Sequence, residues 1–322
     1  MRILFAASPV IAVPSLKIIS QMEGVSLVGV LTNPDSRRGR HNDLIPTDIS
    51  AALEELNIER KSRGQPSIPQ LKPVKLNAAA RDEVSGLNPD LLVSFAYGHI
   101  FGPRFLSLFP LGGINIHPSL LPKYRGAAPI PAAILNREEE TGITIQLIAP
   151  ELDSGDILAV ECITLSGKET AASLSETVSI KAASLLGELL PDFHNKVKSA
   201  KPQKGTAVYC KQMVKEDGLI DWSRSAIEIE AKIRAYTPWP LCFTFRGKDR
   251  LFILEAQVSK GDVFERKTGP GTVLGKDGQG VLIQTGEGVL SVSKLQLQAK
   301  KALDWKSFLN GERNFIGLKL GV

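Results

Sequence analysis

The chain has 322 residues, of which 43% are hydrophobic and 23% charged, and its formal net charge is +5. This length allows two domains, and the composition is typical of a soluble globular protein rather than a fibrous or disordered one. No apolar run reaches the roughly 18 residues of a membrane helix. The three cysteines are far apart and form no C-x-x-C pair. We therefore expect a cytoplasmic protein without a disulfide framework or metal site.

The first part of the chain alternates short apolar runs with helical patterns. The opening "MRILFAAS" is interpreted as a strand rather than a signal peptide, because Pro9 and Pro14 interrupt the apolar run that follows. The predicted strands are 2–7, 25–32, 91–97, 113–117 and 142–148. The predicted helices are 13–21, 47–56, 78–86, 103–108, 128–136 and 170–190. This alternation predicts an α/β, Rossmann-like, mostly parallel sheet with helices on both faces.

The later part of the chain has a different pattern. Residues 191–207 are rich in lysine and poor in large apolar residues, which predicts a basic linker. Short strands separated by glycine turns then predict an OB-like β-barrel. We thus predict a domain over 1–190, a linker over 191–207 and a second domain over 208–322. The second domain is net positive, as expected for a polyanion partner or simply for a solvated basic surface.

Several common catalytic motifs are missing from the sequence. The first strand–helix turn, "AASPVIAVP", has no glycine and cannot form the G-x-G-x-x-G dinucleotide turn. The chain also has no G-x-x-x-x-G-K-[ST], H-E-x-x-H or G-x-S-x-G sequence. P-loop phosphoryl transfer, zinc peptidase chemistry and nucleophile-elbow hydrolysis are therefore not indicated.

The run "GINIHPSLLP" carries two polar residues at the end of a predicted strand. Asn115 and His117 are two positions apart, so they face the same side of the strand, and Pro118 ends the hydrogen-bonding ladder. A histidine in this place also fits a purely structural role. Downstream, "ELDSGDIL" places Asp153 at a tight turn before a strand, where it could cap its own turn. Asp156 is a second carboxylate in the same segment.

The stretch "GGINIHPSLLPKYRGAAPIPAAILNREEETGITIQLIAPELDSGDIL" resembles the family of formyltransferases that use 10-formyltetrahydrofolate. The resemblance implies that Asn115, His117 and Asp153, rather than Asp156, are catalytic, and that no metal is involved. It also implies that folate lies across the strand ends, near "SFAYGHI" and "SLLP". The implied folate contacts are Tyr97, Gly98, Ser119, Leu120, Leu121 and Pro122, although Tyr97 could also be a packed core aromatic.

The chemistry of formyl transfer suits these residue types. A neutral amine attacks the formyl carbon, negative charge builds on the carbonyl oxygen, and the amine loses a proton. An amide and an imidazole on one strand face could hold that oxygen, and a nearby carboxylate could orient the imidazole and relay the proton through water.

The segment "DGLIDWSRSAIEIEAKIRAYTPWPLCFTF" resembles the second domain of the family members that formylate methionyl-tRNA. This resemblance implies initiator methionyl-tRNA as acceptor, a role in translation initiation, and tRNA contacts from the loop 34–46. In that loop Arg37, Arg38 and Arg40 are present, but His41, Asn42 and Asp43 replace the usual lysines. We expect a monomer with no membrane partner. An amino-sugar nucleotide as acceptor, or an inert RNA-binding protein, are the alternatives.

Overall fold

The computed structural model describes residues 1–38, 43–259 and 268–321. The chain forms two compact units. The first comprises Met1–Pro129, Glu140–Thr164 and Ser175–Cys210, and the second comprises Ile130–Glu139, Leu165–Leu174 and Lys211–Val322. These units follow tertiary contacts rather than chain order, and the division predicted at residues 190 and 207 stays a prediction.

The first unit is built on a sheet of seven strands in the order β10-β9-β7-β6-β1-β2-β5. The neighbours from β7 to β5 are parallel, whereas β9 is antiparallel to both β7 and β10. The predicted mostly parallel α/β sheet is therefore confirmed. The strands of this unit, including four that lie outside this sheet, are β1 (Arg2–Ala7), β2 (Ser26–Leu31), β3 (Ser36–Arg38), β4 (Asp43–Ile45), β5 (Gln70–Leu71), β6 (Leu91–Phe95), β7 (Gly113–His117), β8 (Arg125–Gly126), β9 (Glu140–Leu147), β10 (Ile157–Thr164) and β11 (Tyr209–Cys210).

The central strands are apolar along their whole length because both faces of the sheet are covered. Ile3, Leu4 and Phe5 of β1 are fully buried, as are Leu91 and Leu92 of β6. Each fully buried large aliphatic side chain contributes about 1.5–3 kcal/mol relative to its exposed state. Continuous burial of this kind, rather than alternation, is typical of parallel sheets.

The helices of the first part connect these parallel strands. Helix α1 packs against α2, and α3 and α4 contribute Val84 and Phe105 to one apolar cluster on the sheet. The Thr47 hydroxyl caps α2 by accepting from the Ser50 amide, and the Asn77 side chain caps α3 in the same way. The bounds are α1 (Val13–Gln21), α2 (Asp48–Ser62), α3 (Ala78–Gly86), α4 (Pro103–Leu106), α5 (Pro129–Leu135), α6 (Ala171–Leu189) and α7 (Phe193–Lys198).

The segment 191–207, predicted as a linker, packs within the first unit. Its helix α7 buries Phe193, and Lys201 exchanges two backbone hydrogen bonds with Ile157 at 2.7 and 3.1 Å. Immediately afterwards, β11 pairs in parallel with β8. The lysine-rich sequence did not indicate this packing, because most of the contacts after Phe193 are hydrogen bonds of the backbone and of Gln203 rather than apolar burial.

The second unit is dominated by an antiparallel sheet in the order β12-β13-β16-β15-β14, with β17 paired to β16. This confirms the antiparallel β-domain predicted from the glycine-punctuated sequence. Helix α8 begins with a capping box in which Ser225 and Glu228 each bond the other's backbone. The elements are α8 (Ala226–Ala235), β12 (Cys242–Arg246), β13 (Asp249–Val258), β14 (Val273–Lys276), β15 (Val281–Gln284), β16 (Val289–Leu297), β17 (Leu303–Asp304) and α9 (Trp305–Gly311). Across both units, no described helix is long and apolar enough to cross a membrane.

Candidate active site

Strand β7 sorts its side chains into a core face and a polar face. Ile114 and Ile116 are buried in the apolar core, while the alternate residues Asn115 and His117 lie on the other face. The antiparallel register pairs Asn115 with Gln146 and His117 with Thr144 on β9. Directly paired residues face the same side of a sheet. Four polar side chains from two strands therefore share one face at the end of β7.

The turn between β9 and β10 brings Asp153 to this face. Asp153 has φ +51°, in the left-handed region that non-glycine residues adopt rarely. Gly155 is required two residues later, because a Cβ there would lie 1.8 Å from the carbonyl oxygen of Leu147. An aspartate held in an unfavourable backbone conformation by its surroundings is typical of a functional position.

The Asp153 carboxylate is buried and surrounded by donors. Its Oδ1 atom accepts from Asn115 Nδ2 at 3.2 Å and from Gln146 Nε2 at 3.1 Å. Its Oδ2 atom accepts from the backbone amide of Gly126 at 2.8 Å and lies 3.5 Å from His117 Nδ1. The structure thus brings together the three residues predicted to be catalytic. Gln146 and Gly126 complete the arrangement.

The imidazole of His117 is held by a hydrogen bond at Nε2. Nε2 donates to the carbonyl oxygen of Tyr124 at 2.8 Å, and a carbonyl can only accept, so Nε2 carries the hydrogen. Nδ1 therefore faces Asp153, with a lone pair when the ring is neutral and a hydrogen when it is protonated. Burial lowers the pKa of His117, while the Asp153 charge and the Tyr124 carbonyl act in the opposite direction. A neutral imidazole beside a carboxylate is a group that can accept a proton.

Asn115 retains an unused donor. Among the residues that the structure describes, its Nδ2 atom donates only to Asp153, although an amide nitrogen has two hydrogens. Asn115 is half-buried, so its second amide hydrogen is a candidate donor to a bound ligand. An oxygen held by His117, in contrast, would have to replace Tyr124 or Asp153.

Asp156, the rival carboxylate, lies apart from this cluster. Its side chain is exposed, and its backbone carbonyl accepts from the Leu147 amide at 2.9 Å. Its position therefore favours Asp153 as the functional carboxylate.

The "SLLP" turn follows β7 and is fixed from within. Thr144 Oγ1 donates to the Ser119 carbonyl at 2.7 Å and accepts from the Leu121 amide at 3.2 Å. Ser119 is fully buried and its hydroxyl donates to the Lys123 carbonyl. Leu120 and Pro122 instead border a cavity of about 340 Å³, together with Lys123, Tyr124, Glu140, Thr141, Lys204, Gly205 and Thr206. The folate contacts assigned to Ser119, Leu120, Leu121 and Pro122 stay predictions.

Tyr97 and Gly98 lie just beyond β6. The Tyr97 ring is buried in an apolar cluster and stacks on Phe101 with the ring centroids 5.6 Å apart. Its hydroxyl has no hydrogen-bond partner among the described residues, and burial raises the Tyr97 pKa to about 12. Gly98 is exposed. The side chain of Tyr97 is thus a packed aromatic, and a ligand contact from this segment stays a prediction.

The arginines predicted to contact tRNA are only partly described. Arg37 is exposed and lies opposite Leu44 in the hairpin formed by β3 and β4. Arg38 is the last residue of β3, and Arg40 lies outside the described residues. Their contact with tRNA stays a prediction.

Sequence reasoning missed four participants: Tyr124, Gly126, Gln146 and Gln203. A signal existed for Gln146, because it is a polar residue within the apolar run "GITIQLI" and is paired to Asn115. Gln203 had no such signal, since it lies in the segment predicted as a linker. Its Nε2 atom donates to the carbonyl oxygens of Asp153 and Gly155 at 2.8 and 3.0 Å.

The described residues contain no group of three histidine, cysteine or acidic side chains that could hold a metal ion. The contacts of Asp153 and His117 make the site a cluster of hydrogen-bonding and proton-accepting groups. Its parts are an amide with a free donor, a buried imidazole and a buried carboxylate.

Comparison with known proteins gives a consistent result. The formyl transferase family matches residues 1–190, and its C-terminal domain matches residues 212–313. A methionyl-tRNA formyltransferase from Treponema denticola is 50% identical over 98% of both chains.

Two solved structures share the fold at lower identity. The methionyl-tRNA formyltransferase from Clostridium thermocellum has a TM-score of 0.54 at 18% identity and covers 81% of this chain and 95% of its own. An N-formyltransferase from Helicobacter canadensis, solved with folinic acid and dTDP-3-aminofucose, has a TM-score of 0.63 at 17% identity. It covers 90% of this chain and 98% of its own. With its N-terminal family match over 190 residues and its full-length relative, the chain belongs to the formyl transferase family.

Proposed function

We propose that this enzyme transfers the formyl group of 10-formyltetrahydrofolate to the α-amino group of initiator methionyl-tRNA. The observation that carries the proposal is that Asn115 and His117 both contact the buried carboxylate of Asp153. The full-length identity of 50% to a relative named methionyl-tRNA formyltransferase supports the choice of acceptor. The protein then acts in translation initiation, in the cytoplasm.

In this reaction the neutral α-amine attacks the formyl carbon of the donor. A new C–N bond forms, the carbonyl oxygen gains negative charge, and the bond from carbon to N10 then breaks. The free N–H of Asn115 is placed to donate to that oxygen as its charge develops. A single donor of this kind typically lowers the barrier by about 3 kcal/mol.

The His117–Asp153 pair accepts the proton of the amine and passes it on to N10. After attack, the amine nitrogen is positively charged and must lose a proton, which the pair accepts directly or through a water molecule. The same proton then passes to N10 as the carbon–nitrogen bond breaks, so the reaction needs no external acid or base. An α-amine has an unperturbed pKa near 8, so about a tenth of it is neutral at pH 7 and modest base assistance is enough.

The substrates are proposed to approach from the carboxyl ends of the strands, as ligands generally do in open α/β sheets. The donor folate lies near Gly98 and the turn Ser119–Pro122. Arg37, Arg38 and Arg40 contact tRNA phosphates, which makes binding dependent on salt. The protein works as a monomer, and no metal takes part.

An amino-sugar nucleotide is the second candidate acceptor. The observation in its favour is the fold shared with the Helicobacter canadensis N-formyltransferase, but at 17% identity this likeness concerns the fold alone. The full-length relative at 50% identity favours methionyl-tRNA.

The deciding experiment supplies 10-formyltetrahydrofolate with either methionyl-tRNA or an amino-sugar nucleotide and follows formylation of each. Formylation of methionyl-tRNA alone, abolished by Asp153→Ala, is the expected result. Formylation of the sugar alone would overturn methionyl-tRNA as the acceptor but would leave the formyl-transfer mechanism standing. Binding of tRNA without any formyl transfer would overturn the enzymatic proposal.

A further inference from the structure

Three side chains form a continuous chain of hydrogen bonds that ends on the Asp153 carboxylate. Arg125 donates to Gln203 Oε1 from Nε at 3.1 Å and from Nη2 at 2.6 Å. Gln203 Nε2 donates to Gln146 Oε1 at 3.1 Å. Gln146 Nε2 in turn donates to Asp153 Oδ1 at 3.1 Å. Positive charge at one end is thus connected to the catalytic carboxylate through two neutral amides.

The direction of this chain is fixed by its first member. A guanidinium can only donate, so the oxygen of Gln203 must face Arg125 and its nitrogen must face the other way. The two hydrogens of that nitrogen are shared among three acceptors, namely Gln146 Oε1 and the carbonyls of Asp153 and Gly155. The oxygen of Gln146 is then committed to Gln203, which leaves its nitrogen for Asp153. Each amide orientation follows from the previous one, and hydrogen bonds arranged in this way polarise one another.

Gln203 therefore contacts both the backbone of the Asp153 turn and a side chain that binds Asp153. It binds the backbone of the turn on both sides of Ser154, where Asp153 holds its left-handed conformation. It also orients Gln146, which binds the Asp153 side chain. Asp153 Oδ1 in this way accepts from Gln146 and Asn115, and Oδ2 accepts from the Gly126 amide and faces His117.

The backbone around Gln203 is itself tied to the opposite side of the site. Val208 donates to the Pro122 carbonyl at 3.1 Å and accepts from the Arg125 amide at 2.8 Å. Arg125 Nη1 also donates to the Tyr209 hydroxyl at 3.3 Å. The residues 201–210 thus form a strap that joins the Asp153 turn to the loop carrying Tyr124 and Gly126.

We propose that Gln203 and Gln146 are positioning residues for catalysis, which set the Asp153 carboxylate in the geometry that serves His117. This role rests on the proposed formyl transfer only for its kinetic readout. Displacing a catalytic group by about 1 Å can lower the rate roughly 100-fold, so loss of the chain is expected to reduce kcat rather than substrate binding.

The central variant is Gln203→Glu, which keeps the size of the side chain and its acceptors for Arg125 but removes every donor toward Asp153, Gly155 and Gln146. We expect kcat to fall about 10- to 100-fold with the KM values for both substrates within about twofold of the wild type. Gln21→Glu, at an exposed position at the end of α1, is the matched control and is expected to leave kcat unchanged. Thermal melting of each variant checks that it is folded.

The linkage between the two glutamines is tested by a double-variant cycle. Gln146→Met keeps the length of the side chain and removes the donor to Asp153. If the glutamines act as one chain, the double variant loses little more activity than Gln203→Glu alone. Multiplication of the two single losses would show that they act independently and would overturn the chain.

A substrate-free measurement separates this inference from the proposed function. The ring nitrogen chemical shifts of His117 report its contact with Asp153, and we expect Gln203→Glu to shift the Nδ1 resonance while Gln21→Glu does not. An unchanged His117 resonance together with wild-type kcat would overturn the positioning role. If the wild type fails to formylate methionyl-tRNA, the proposed function fails, and the resonance still decides whether Gln203 sets the Asp153–His117 contact.

Discussion

His117 Nε2 donates to the carbonyl oxygen of Tyr124 at 2.8 Å, and this single bond decides what the ring can do. It fixes the tautomer and turns Nδ1 toward Asp153 Oδ2, 3.5 Å away. Because burial lowers the pKa of His117, the ring is neutral at pH 7 and available as a proton acceptor. A backbone carbonyl seven residues downstream thus fixes which nitrogen of this strand residue faces the carboxylate.

Asp153 is expected to be essential, whereas Asp156 is expected to be dispensable. Asp153→Asn keeps the shape of the side chain but brings an amide hydrogen against the donors that now bind the carboxylate. We expect kcat to fall at least about 100-fold, in the range typical of general acid–base groups. The measurement is steady-state formylation, with Asp156→Asn as the matched control on an exposed side chain. Equal losses in the two variants would contradict the assignment.

The pH dependence of activity should reflect the lowered pKa of His117. An unperturbed histidine titrates near pH 6.5, and burial moves this group below that value. Protonation of the α-amine, whose unperturbed pKa is near 8, already lowers kcat as the pH falls. We therefore expect His117 to add no second decline near pH 6.5 and to add one only at lower pH. The measurement is a kcat profile for formylation at saturating substrate. A second decline centred at or above pH 6.5, in addition to that of the α-amine, would contradict the lowered pKa of His117.

The same shift predicts how stability depends on pH. Below about pH 6.5 the unfolded chain takes up a proton on this histidine, while the folded protein does not, so the unfolded state binds more protons. The free energy of unfolding should then decrease as the pH falls through this range. Chemical denaturation at several pH values measures it, and His117→Gln should reduce the slope relative to the wild type. An identical slope in the variant would contradict the buried neutral form.

Gly155→Ala is expected to disrupt the Asp153 turn. The added methyl group would meet the Leu147 carbonyl oxygen at 1.8 Å, so the backbone must move. We expect a loss of about 2 kcal/mol or more in the free energy of unfolding, together with a lower kcat. Gly86→Ala is the matched control, because nothing lies within 4 Å of the added atom. Denaturant unfolding compares the two, and equal stabilities would contradict the close contact.

Thr144→Val should weaken the "SLLP" turn without touching the catalytic groups. The substitution keeps the shape of the side chain but leaves the Ser119 carbonyl and the Leu121 amide without their shared partner. Burying such unpaired groups costs about 1–3 kcal/mol each, and a looser turn should raise the KM for the folate donor. Thr164→Val, on an exposed side chain of β10, is the control. Wild-type stability of Thr144→Val would show that the turn does not depend on this hydroxyl.

The sequence predicted the parts of the fold that follow a local period. The apolar run of β1 and the two-residue spacing of Asn115 and His117 are both local patterns, and the structure bears them out for the strands. The reversed direction of β9 was not predictable from its pattern, since a buried antiparallel strand has the same apolar run as a parallel one. The contacts of Gln203 and Tyr124 were also invisible, because they join backbone carbonyls to side chains over long or irregular stretches of chain.

The strap over residues 201–210 limits where the chain can be truncated without losing contacts around Asp153. A fragment that stopped at residue 190, where the N-terminal family match ends, would retain Asn115, His117 and Asp153 but lose Gln203 and the partner strand of β8. The Gly126 amide donates to Asp153, and Gly126 would lose the β11 backbone with which it pairs. We therefore expect a fragment to keep the contacts of Asp153 only if it extends to Cys210, about 20 residues beyond the end of the N-terminal family match.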